Sequence, residues 1–470
     1  MTKSSDISKT VPKGKRRKAS LPEFLSRPER LAAGMALRET VPRERHAEWQ
    51  PPAKRRDPID VLEESNRDRL PELVPIRYGR MLRTPFTFLR GGAGLMAYDL
   101  STTPSTGLRV QACGDCHLLN FGLFATPERN LVFDINDFDE TLPASWEWDV
   151  KRLAASFVVA ARAIGHSDRE ARNAAIESVR GYREHLRADS KRNPLDVWYE
   201  RLDVQTLINE APNERIRKRR EEMAARAHKH IGEYLFPKIS ALVGGRHRLV
   251  DQPPLLFHAD KEREEVFRAA LADYRESLPY DRRVLFDRYR LQDCVLKVVG
   301  IGSVGTRCWV GLYMSSEGHP LLLQFKEAGA SVLEPYAGKS IFDNNGERTV
   351  VGQRLMQSSS DIFLGWTRNR RGRDFYGRQL RDMKISFPVE GMSPLRLKRH
   401  AERCGLTLAR AHARSGDSAM ISGYLGKSDT FDRAIGEFAM AYADQTLRDH
   451  TALVAAVKAG QIEALVEEDL

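Results

Sequence analysis

The alternation of apolar and polar residues predicts short buried strands followed by long helices in the first half of the chain. Residues 108–112 and 131–135 form short apolar runs bounded by turn-forming residues, which is typical of buried strands. In residues 148–165, apolar side chains recur at intervals of three and four, which predicts a helix with one apolar face. Helical spacing then continues from Asp168 to about Arg288.

The pattern changes to β-rich sequence near Asp293. The stretches VLKVV, RCWVGLYM and LLLQFKEA are rich in Val, Leu, Phe and Trp, which predicts three strands, the last two joined by the turn SSEG. RDFYGRQLRDMKI, at 373–385, predicts a further strand. Helical spacing returns from Pro394 to Arg414 and continues towards the end of the chain. Together these patterns predict the α+β class, with a small antiparallel β lobe and a large helical lobe.

The composition is that expected of a globular cytoplasmic protein. With 470 residues, of which 41% are hydrophobic, the chain can bury cores for two or three domains or for one large two-lobed domain. It contains no apolar run of the roughly 18 residues that a transmembrane helix needs, and the basic N-terminus lacks the apolar stretch of a signal peptide. Five cysteines, of which only Cys113 and Cys116 are close in sequence, fit a reducing cytoplasm better than a disulfide framework.

Most of the net charge of +11 lies near the N-terminus. Residues 1–57 contain 15 Lys and Arg against 7 Asp and Glu, including the runs KGKRRK and KRR, with prolines interspersed. This composition predicts a basic disordered tail. Such a tail either contacts nucleic acid or anionic surfaces nonspecifically or serves only as a solvated segment. The body from Pro58 onward is close to neutral and does not indicate a nucleic-acid groove.

The stretch CGDCHLLNFG, at 113–122, has two chemical interpretations. Its two cysteines would form a redox dithiol or half of a zinc site, but the remaining three cysteines are isolated and supply no second pair. In the other interpretation, Asp115 orients or deprotonates a hydroxyl group. Asn120 and Asp137, which follows the next strand, would supply oxygen ligands to magnesium. Phosphoryl transfer requires both a group that positions the hydroxyl and ligands that hold the metal ion, so we favour the second interpretation.

A place for the phosphates is predicted in GIGSVG, at 300–305. A dinucleotide-binding GxGxxG leads into a helix, whereas a glycine-rich turn between antiparallel strands covers the ATP phosphates in kinases. Here strands are predicted on both sides, and the next strand carries Lys326 near its end. Taken alone, this pattern fits a bulged hairpin with an edge lysine equally well. In the same chain as the Asp/Asn loop, it predicts an ATP site formed by Gly300, Gly302, Ser303, Gly305 and Lys326.

These motifs resemble those of known kinases. GDCHLLN resembles the catalytic loop GDxHxxN of aminoglycoside phosphotransferases and related small-molecule kinases, and NDFDE resembles their metal-binding segment. The resemblance implies that Asp115 is the catalytic base and that Asn120 and Asp137 are metal ligands. Asp139 stands where protein kinases have glycine. Asp149 matches the aspartate that opens the next helix and braces the catalytic loop.

The chain from about residue 62 to 449 also resembles a bacterial family catalogued as domain of unknown function 2252. The stretches VVGIGSVGTRCWV, GQRLMQSSSDIFLGW and RQLRDMK carry this resemblance. In kinase-like chains the glycine loop and lysine precede the catalytic loop, whereas here they follow it by roughly 160 residues. The resemblance therefore implies a circularly permuted, two-lobed protein-kinase-like fold, which chain termini close in space would permit.

The permutation divides the chain into four predicted parts. The basic tail covers 1–57, the catalytic-loop and helical lobe 58–288, the β-rich nucleotide lobe 289–390, and C-terminal helices that pack on the helical lobe 391–470. In kinases a glutamate pairs with the phosphate-binding lysine. For Lys326 that partner is left open between Glu334 and Glu347.

We therefore expect an ATP- and magnesium-dependent phosphotransferase that acts on a hydroxyl group of an unidentified small molecule or protein. Transfer of the AMP moiety would use the same residues with ATP held differently. The rival is a non-catalytic kinase-like scaffold whose basic tail docks on nucleic acid or a membrane. Retention of Asp115, Asn120, Asp137 and Lys326 favours the enzyme, whereas Asp139 favours the scaffold. The sequence leaves the oligomeric state open.

Overall fold

The computed structural model describes residues 25–211, 213–228, 232–380 and 383–466, which form an α+β protein with small antiparallel sheets. Over these residues the α-helices are α1 Arg27–Thr40, α2 Pro58–Glu64, α3 Val74–Leu82, α4 Pro85–Gly91, α5 Ala93–Ser101, α6 Trp146–Ala163, α7 Asp168–Asp189, α8 Pro194–Tyr199, α9 Val204–Asn209, α10 Glu214–His228, α11 Gly232–Ile239, α12 Lys261–Ser277, α13 Tyr280–Phe286, α14 Glu334–Ala337, α15 Asn345–Met356, α16 Pro394–Ala413, α17 Ser418–Leu425 and α18 Thr430–Lys458. The strands are β1 Arg109–Ala112, β2 Phe121–Ala125, β3 Leu131–Ile135, β4 Leu142–Ser145, β5 Leu202–Asp203, β6 Ser240–Val243, β7 Arg246–Leu249, β8 Leu256–Phe257, β9 Tyr289–Lys297, β10 Cys308–Ser315, β11 Pro320–Ala328, β12 Gly365–Arg368, β13 Asp374–Gln379 and β14 Ile385–Ser386.

The largest sheet is antiparallel, with the strand order β12-β13-β11-β10-β9-β8. Its three longest strands, β9, β10 and β11, are those predicted from the β-branched and aromatic runs, and the glycine-rich stretch joins the first two. In the β10–β11 register, Cys308 is opposite Lys326. Because Cys308 follows the glycine-rich turn closely, this register sets Lys326 beside that turn.

A second sheet brings together the loop that contains Asp115 and the loop that contains Asp137, here called the two acidic loops. In the order β14-β2-β3-β5, Phe121 at the start of β2 is opposite Ile135 at the end of β3. The loop that contains Asp115 therefore ends where the loop that contains Asp137 begins. A hydrogen bond of 2.7 Å from the backbone N–H of Asn136 to the carbonyl oxygen of Asn120 joins the two loops at this point.

Helix α6 is buried along almost its whole length, although its sequence predicts only one apolar face. Every residue from Trp146 to Ala161 is buried, because α7 and α18 pack against the helix and β1, β4 and α4 contact it as well. Its charged residues consequently need internal partners. Two of them, Asp149 and Arg152, find these partners in the loop between β1 and β2.

The C-terminal helices pack on helices from the first half of the chain. Helix α16 crosses α7 at glycine contacts: a Cβ atom on Gly405 would lie 1.9 Å from the carbonyl oxygen of Ser178, and one on Gly181 would lie 2.6 Å from that of Glu402. Helix α18 contacts both α6 and α7. No helix within the described ranges has the length and apolar content needed to cross a bilayer.

The prediction that residues 1–57 form a disordered tail is wrong for residues 25–57. Ser26 and Glu29 form a capping box at the start of α1, which packs against α17. The guanidinium of Arg55 donates to both carboxylates of Asp99 and Asp449 at 2.7–2.9 Å, and its side chain is only 8% exposed. The numbers of charged residues and prolines did not predict this buried ion-pair network, because the partners of Arg55 lie far along the chain. Residues 1–24, with KGKRRK, lie outside the described residues.

The predicted division between residues 288 and 289 also falls inside a packed unit. Strand β8 joins the six-stranded sheet, and α12 covers that sheet with Phe267 stacked on Trp309, the ring centroids 4.6 Å apart. The helical spacing of this segment could not show which core its apolar face would join. The same segment also contains an unpredicted hairpin, β6–β7, whose turn is formed by Gly244 and Gly245 in the left-handed region.

Candidate active site

Lys326 and Asp137 form an ion pair although 189 residues separate them. The Nζ atom of Lys326 lies 3.1 Å from Oδ1 of Asp137 and 2.5 Å from Oδ2 of Asp139. The lysine side chain is only 4% exposed. Burial by itself lowers the pKa of Lys326, but the carboxylates of Asp137 and Asp139 outweigh burial and raise it well above its usual range. The lysine is therefore charged at neutral pH.

Asp137 carries the matching negative charge. Burial by itself raises the pKa of this carboxyl, but the positive charges of Lys326, Arg378 and Lys384 hold it below its usual value. Asp139, two residues on, accepts hydrogen bonds from Lys326 and also from the hydroxyl of Tyr376, at 2.6 Å. The acidic segment thus presents an ionised oxygen ligand next to a fixed cation.

The glycine-rich turn closes over this pair. Ser303 Oγ donates a hydrogen bond of 3.2 Å to Oδ2 of Asp139. Gly300, Gly302 and Ser303 line the cavity beneath the turn. Gly305 does not line it but lies against the side chain of Arg69, where its φ of +86° favours glycine. Four of the five residues predicted to bind ATP therefore lie at the cavity or at the ion pair beside it, and Gly305 lies behind them.

The loop that carries Asp115 is held in place by hydrogen bonds to Asp149. Asp149 accepts hydrogen bonds from the backbone N–H groups of Cys113, at 2.6 Å, and Gly114, at 3.0 Å. Gly114 has a φ of +82°, and a Cβ atom there would lie 2.3 Å from the carbonyl oxygen of Glu140, so this position requires glycine. Nε2 of His412, near the end of α16, lies 3.2 Å from Oδ2 of Asp149. This is the bracing role that the resemblance implied for Asp149.

Asp115 itself has a perturbed proton affinity. Burial raises the pKa of its carboxyl to about 6, although the positive charge of Arg152 lowers it. Nε of Arg152 donates to Oδ1 at 2.7 Å. Nδ2 of Asn120 donates to the backbone oxygen of Asp115 at 2.6 Å, so the amide oxygen of Asn120 is the side-chain atom that could bind a metal ion. A carboxylate that titrates near neutral pH is suited to proton transfer.

These groups surround one cavity of about 550 Å³, within the range typical of ligand sites. The predicted residues that line it come from three separate segments and are Asp115, Asn120, Asp137, Gly300, Gly302 and Ser303. Magnesium prefers hard oxygen ligands, and the carboxylates and amide of the two acidic loops offer them. The donor set at the cavity therefore fits a magnesium ion.

The prediction that Lys326 pairs with a glutamate is wrong. Within the described residues neither Glu334 nor Glu347 pairs with Lys326, which contacts two aspartates instead. Arg348, next to Glu347 on α15, is the helix residue that reaches the acidic loop. Its Nη2 atom donates to the backbone oxygen of Asp139 at 2.8 Å. The counterions of Lys326 are thus two aspartates rather than a glutamate.

Sequence reasoning missed two arginines at the site. Arg152 follows Asp149 by three residues on α6, and a charge within such an apolar helix signals a buried carboxylate partner. Arg90, at the end of α4, lines the cavity, and its Nε atom is buried with no hydrogen-bond partner among the described residues. Burial lowers the pKa of Arg90, while the negative charges of Asp115 and Asp137, which line the same cavity, raise it. No local pattern marks Arg90.

The two cysteines of the loop pack within it. Cys113 Sγ lies 3.4 Å from the backbone oxygen of Asp137, as a thiol donor would, and both thiols are buried. Burial raises the pKa of Cys116 well above its usual range, which disfavours a thiolate. Neither cysteine belongs to the cluster of three converging His, Cys or carboxylate ligand atoms found among the described residues, which consists of His185, Asp189 and Glu200.

The fold and the cavity define an α+β protein with a carboxylate-lined ligand cleft opposite a buried lysine. The chain belongs to the family described as "Uncharacterized protein conserved in bacteria (DUF2252)", whose model matches residues 69–456. The matched part includes both acidic loops, the glycine-rich turn, Lys326 and most of α18. No curated protein and no solved structure matches the chain.

Proposed function

We propose that the chain is an ATP- and magnesium-dependent phosphotransferase with a circularly permuted kinase-like fold. Its acceptor is a hydroxyl group on a small molecule or protein that is still to be identified. The observation that carries the proposal is the contact of Lys326 with Asp137 beside a cleft that Asp115 also lines. In kinases, the corresponding lysine, metal aspartate and catalytic-loop aspartate act on one bound nucleotide.

The permutation is supported by a contact between α16 and β1. In an unpermuted kinase-like chain, the helix that precedes the catalytic loop would lead directly into it. Here α16 ends at Ala413, and Ser415 Oγ accepts a hydrogen bond of 2.9 Å from the backbone N–H of Gln111 in β1. Gly416 packs against Val110, with a Cβ position 2.5 Å from Cγ1. The two chain positions that a permutation would separate are thus in contact.

In this proposal, residues of the two acidic loops have different roles: one accepts a proton and the others bind the metal ion. Asp115 accepts the proton of the acceptor hydroxyl, since a pKa near 6 leaves it ionised at neutral pH. Asn120 and Asp137 hold the metal through their side-chain oxygens. Magnesium bound with ATP would neutralise charge on the phosphate oxygens. Lys326 exchanges one of its carboxylate partners for a non-transferred phosphate.

The groups on the other side of the cleft bind the transferred end of the nucleotide. The backbone of Gly300 and Gly302 can approach phosphates closely, because these residues have no side chains, and Ser303 lies at the tip of the turn. Arg90 has a buried Nε atom without a partner in the described chain and lines the same cavity as Asp115 and Asp137. In the proposal, Arg90 donates to the phosphate oxygens on which charge develops during transfer.

The test is to incubate the full chain with magnesium, a cell extract and ATP that carries its label at either the γ- or the α-phosphate. Phosphoryl transfer labels an acceptor from γ-labelled ATP only, and Asp115→Asn slows this labelling by about 10²- to 10⁴-fold. Transfer of the label from α-labelled ATP would instead indicate that the protein transfers AMP. Magnesium-dependent ATP binding without transfer of either label would indicate a scaffold, and absence of ATP binding would contradict all three functions.

Asp139 is the observation that favours the second candidate, a kinase-like scaffold. Its carboxylate accepts hydrogen bonds from Lys326 on β11, Tyr376 on β13 and Ser303 on the turn, and so ties the phosphate-binding elements to the acidic loop. In an enzyme restrained by these contacts, Asp139→Gly would increase transfer of the γ-phosphate. In a scaffold, the same variant would bind ATP more readily and transfer nothing.

A further inference from the structure

A second and smaller cavity lies on the other side of the Asn136–Asp137 peptide. Its volume is about 70 Å³, several times the ~10–15 Å³ that one water molecule requires. It is bounded by β2, β11, α15 and β13, and its polar lining includes Asn136, Gln353, Arg378 and Lys384. The cavity therefore has room for a few waters or for one group of the size of a phosphate.

Two buried polar atoms of this lining have no hydrogen-bond partner within the part of the chain that the structure describes. They are Nδ2 of Asn136, a donor, and Oε1 of Gln353, an acceptor. The two residues are 5% and 3% exposed. Native proteins pair nearly all of their buried polar atoms, because an unpaired one carries its full desolvation penalty. A donor and an acceptor left unpaired in one small cavity indicate a ligand with both kinds of atom.

The charge of the cavity is positive. Arg378 donates to the backbone oxygen of Asn136 at 3.0 Å. Lys384 forms no hydrogen bond or ion pair with another described residue, and burial together with the charge of Arg378 lowers its pKa to about 7. Asp361 also lines the cavity, but its oxygens accept from the backbone N–H groups of Phe363 and Gln379. Among the described lining residues, the two cations Arg378 and Lys384 therefore outnumber the single carboxylate of Asp361.

We propose that this cavity binds a phosphate group. Lys384 and Arg378 would supply the positive charge, Nδ2 of Asn136 a donor, and Oε1 of Gln353 the acceptor for a protonated phosphate oxygen. The site is separate from the phosphates assigned to Lys326, and the inference does not rest on the proposed transferase activity. The group is either free phosphate or the terminal phosphate of a larger molecule, since both present the same oxygens.

The first experiment measures the reactivity of Lys384 in the full chain without nucleotide or metal. The protein is treated briefly with acetic anhydride near neutral pH, with either sodium phosphate or sodium chloride at equal ionic strength, and acetylation is read by mass spectrometry. We expect phosphate to protect Lys384 and to leave Lys261, whose side chain is 91% exposed, unchanged. Equal labelling of Lys384 in the two salts would overturn the proposal.

The second experiment measures phosphate affinity by calorimetry. Lys384→Met is expected to weaken phosphate binding about tenfold or more, because one charge-assisted hydrogen bond is lost. Lys384→Arg retains the charge and should largely restore binding. Lys398→Met removes a half-exposed lysine of α16 that pairs with Glu177, and should have no effect. Unchanged affinity in Lys384→Met, or no measurable phosphate binding by the parent protein, would contradict the inference.

Two further measurements distinguish free phosphate from a phosphorylated molecule and test the location of the site. Protection of Lys384 by inorganic phosphate alone identifies free phosphate as the ligand, whereas protection by glycerol phosphate as well identifies a phosphorylated molecule. Asp137→Asn should keep or strengthen phosphate protection, because it removes a nearby negative charge from outside the cavity. Loss of protection in this variant would overturn the proposal. Failure of magnesium–ATP binding would contradict the proposed function alone.

Discussion

Arg152 on α6 donates two hydrogen bonds to Oδ1 of Asp115, one of them from Nε at 2.7 Å, yet Asp115 keeps a raised pKa of about 6. The arginine fixes the orientation of the carboxylate, while burial of the loop makes ionisation costly. Asp115 is thereby both positioned and able to exchange a proton near neutral pH. This combination is what a general base requires.

The pH dependence of transfer should follow the titration of Asp115. Its folded pKa lies above its ordinary value, so the carboxyl is protonated at low pH and becomes able to accept a proton as the pH rises through about 6. The rate of γ-phosphate transfer should therefore rise with pH over that window. Because the folded state binds this proton more tightly than the unfolded state, the contribution of Asp115 to the free energy of unfolding should fall as pH rises from the ordinary value of 3.8 to about 6. Both effects should disappear in Asp115→Asn.

The two acidic loops should be separable by mutation. Asp115→Asn should lower the rate of transfer by about 10²- to 10⁴-fold, the usual contribution of a positioned base, with little change in ATP affinity. Asp137→Asn removes a charged metal ligand, so it should weaken magnesium-dependent ATP binding itself. Titration calorimetry with magnesium and ATP, together with the transfer assay, distinguishes the two defects.

A surface carboxylate offers the matched control for these variants. Asp168 begins α7 and pairs with Arg162, with most of its side chain exposed. Asp168→Asn should change neither binding nor transfer. If the Asp115 and Asp137 variants both bind and transfer like the parent, the loops are not an active site.

Arg90 should affect transfer more than binding. Arg90 lines the cleft together with Asp115 and Asp137. Removing one donor that stabilises developing charge typically costs about 10²- to 10³-fold in rate. We therefore expect Arg90→Met to lower the transfer rate by that order and to change ATP affinity much less. Arg67→Met, at an exposed arginine of the segment after α2, serves as the control; an equal loss in both variants would remove Arg90 from the mechanism.

Arg55 should be a major determinant of stability. It is held between Asp99 and Asp449, and its removal leaves two buried carboxylates without a cation. Breaking a buried ion pair in this way costs about 3–5 kcal/mol, so Arg55→Met should lower the free energy of unfolding in urea by that order. Arg56→Met removes the neighbouring arginine, whose pair with Glu64 is exposed, and should cost about 1 kcal/mol or less. Similar losses in the two variants would show that the buried network contributes little.

The local elements of the chain were predictable because they depend on near neighbours. Strand β3 and helices α6 and α16 follow from apolar spacing and flanking turn residues, and the glycine-rich stretch was correctly expected between two strands. The α+β class follows from the same patterns. Asp115, Asn120 and Asp137 could be selected from sequence because oxygen-bearing side chains recur after short strands at kinase-like spacing.

The pairing of distant residues was not predictable from those patterns. The order of charged residues along the chain gives no sign that Arg55 would be buried between two aspartates, so residues 25–57 were wrongly expected to be disordered. Helical spacing in α12 did not show that its aromatic residues would cover the six-stranded sheet. In both cases the deciding partner lies far along the chain.

The sequence by itself determined the elements, the acidic loops and the glycine-rich turn, because sterics and hydrophobic spacing act over a few residues. Only the tertiary structure decided that Lys326 pairs with Asp137 and Asp139 rather than with a glutamate, that Arg152 orients Asp115, and that Ser415 meets Gln111. The physical reason is that a buried charge selects whichever opposite charge the packing of strands and helices brings within hydrogen-bond distance. That selection depends on the fold as a whole.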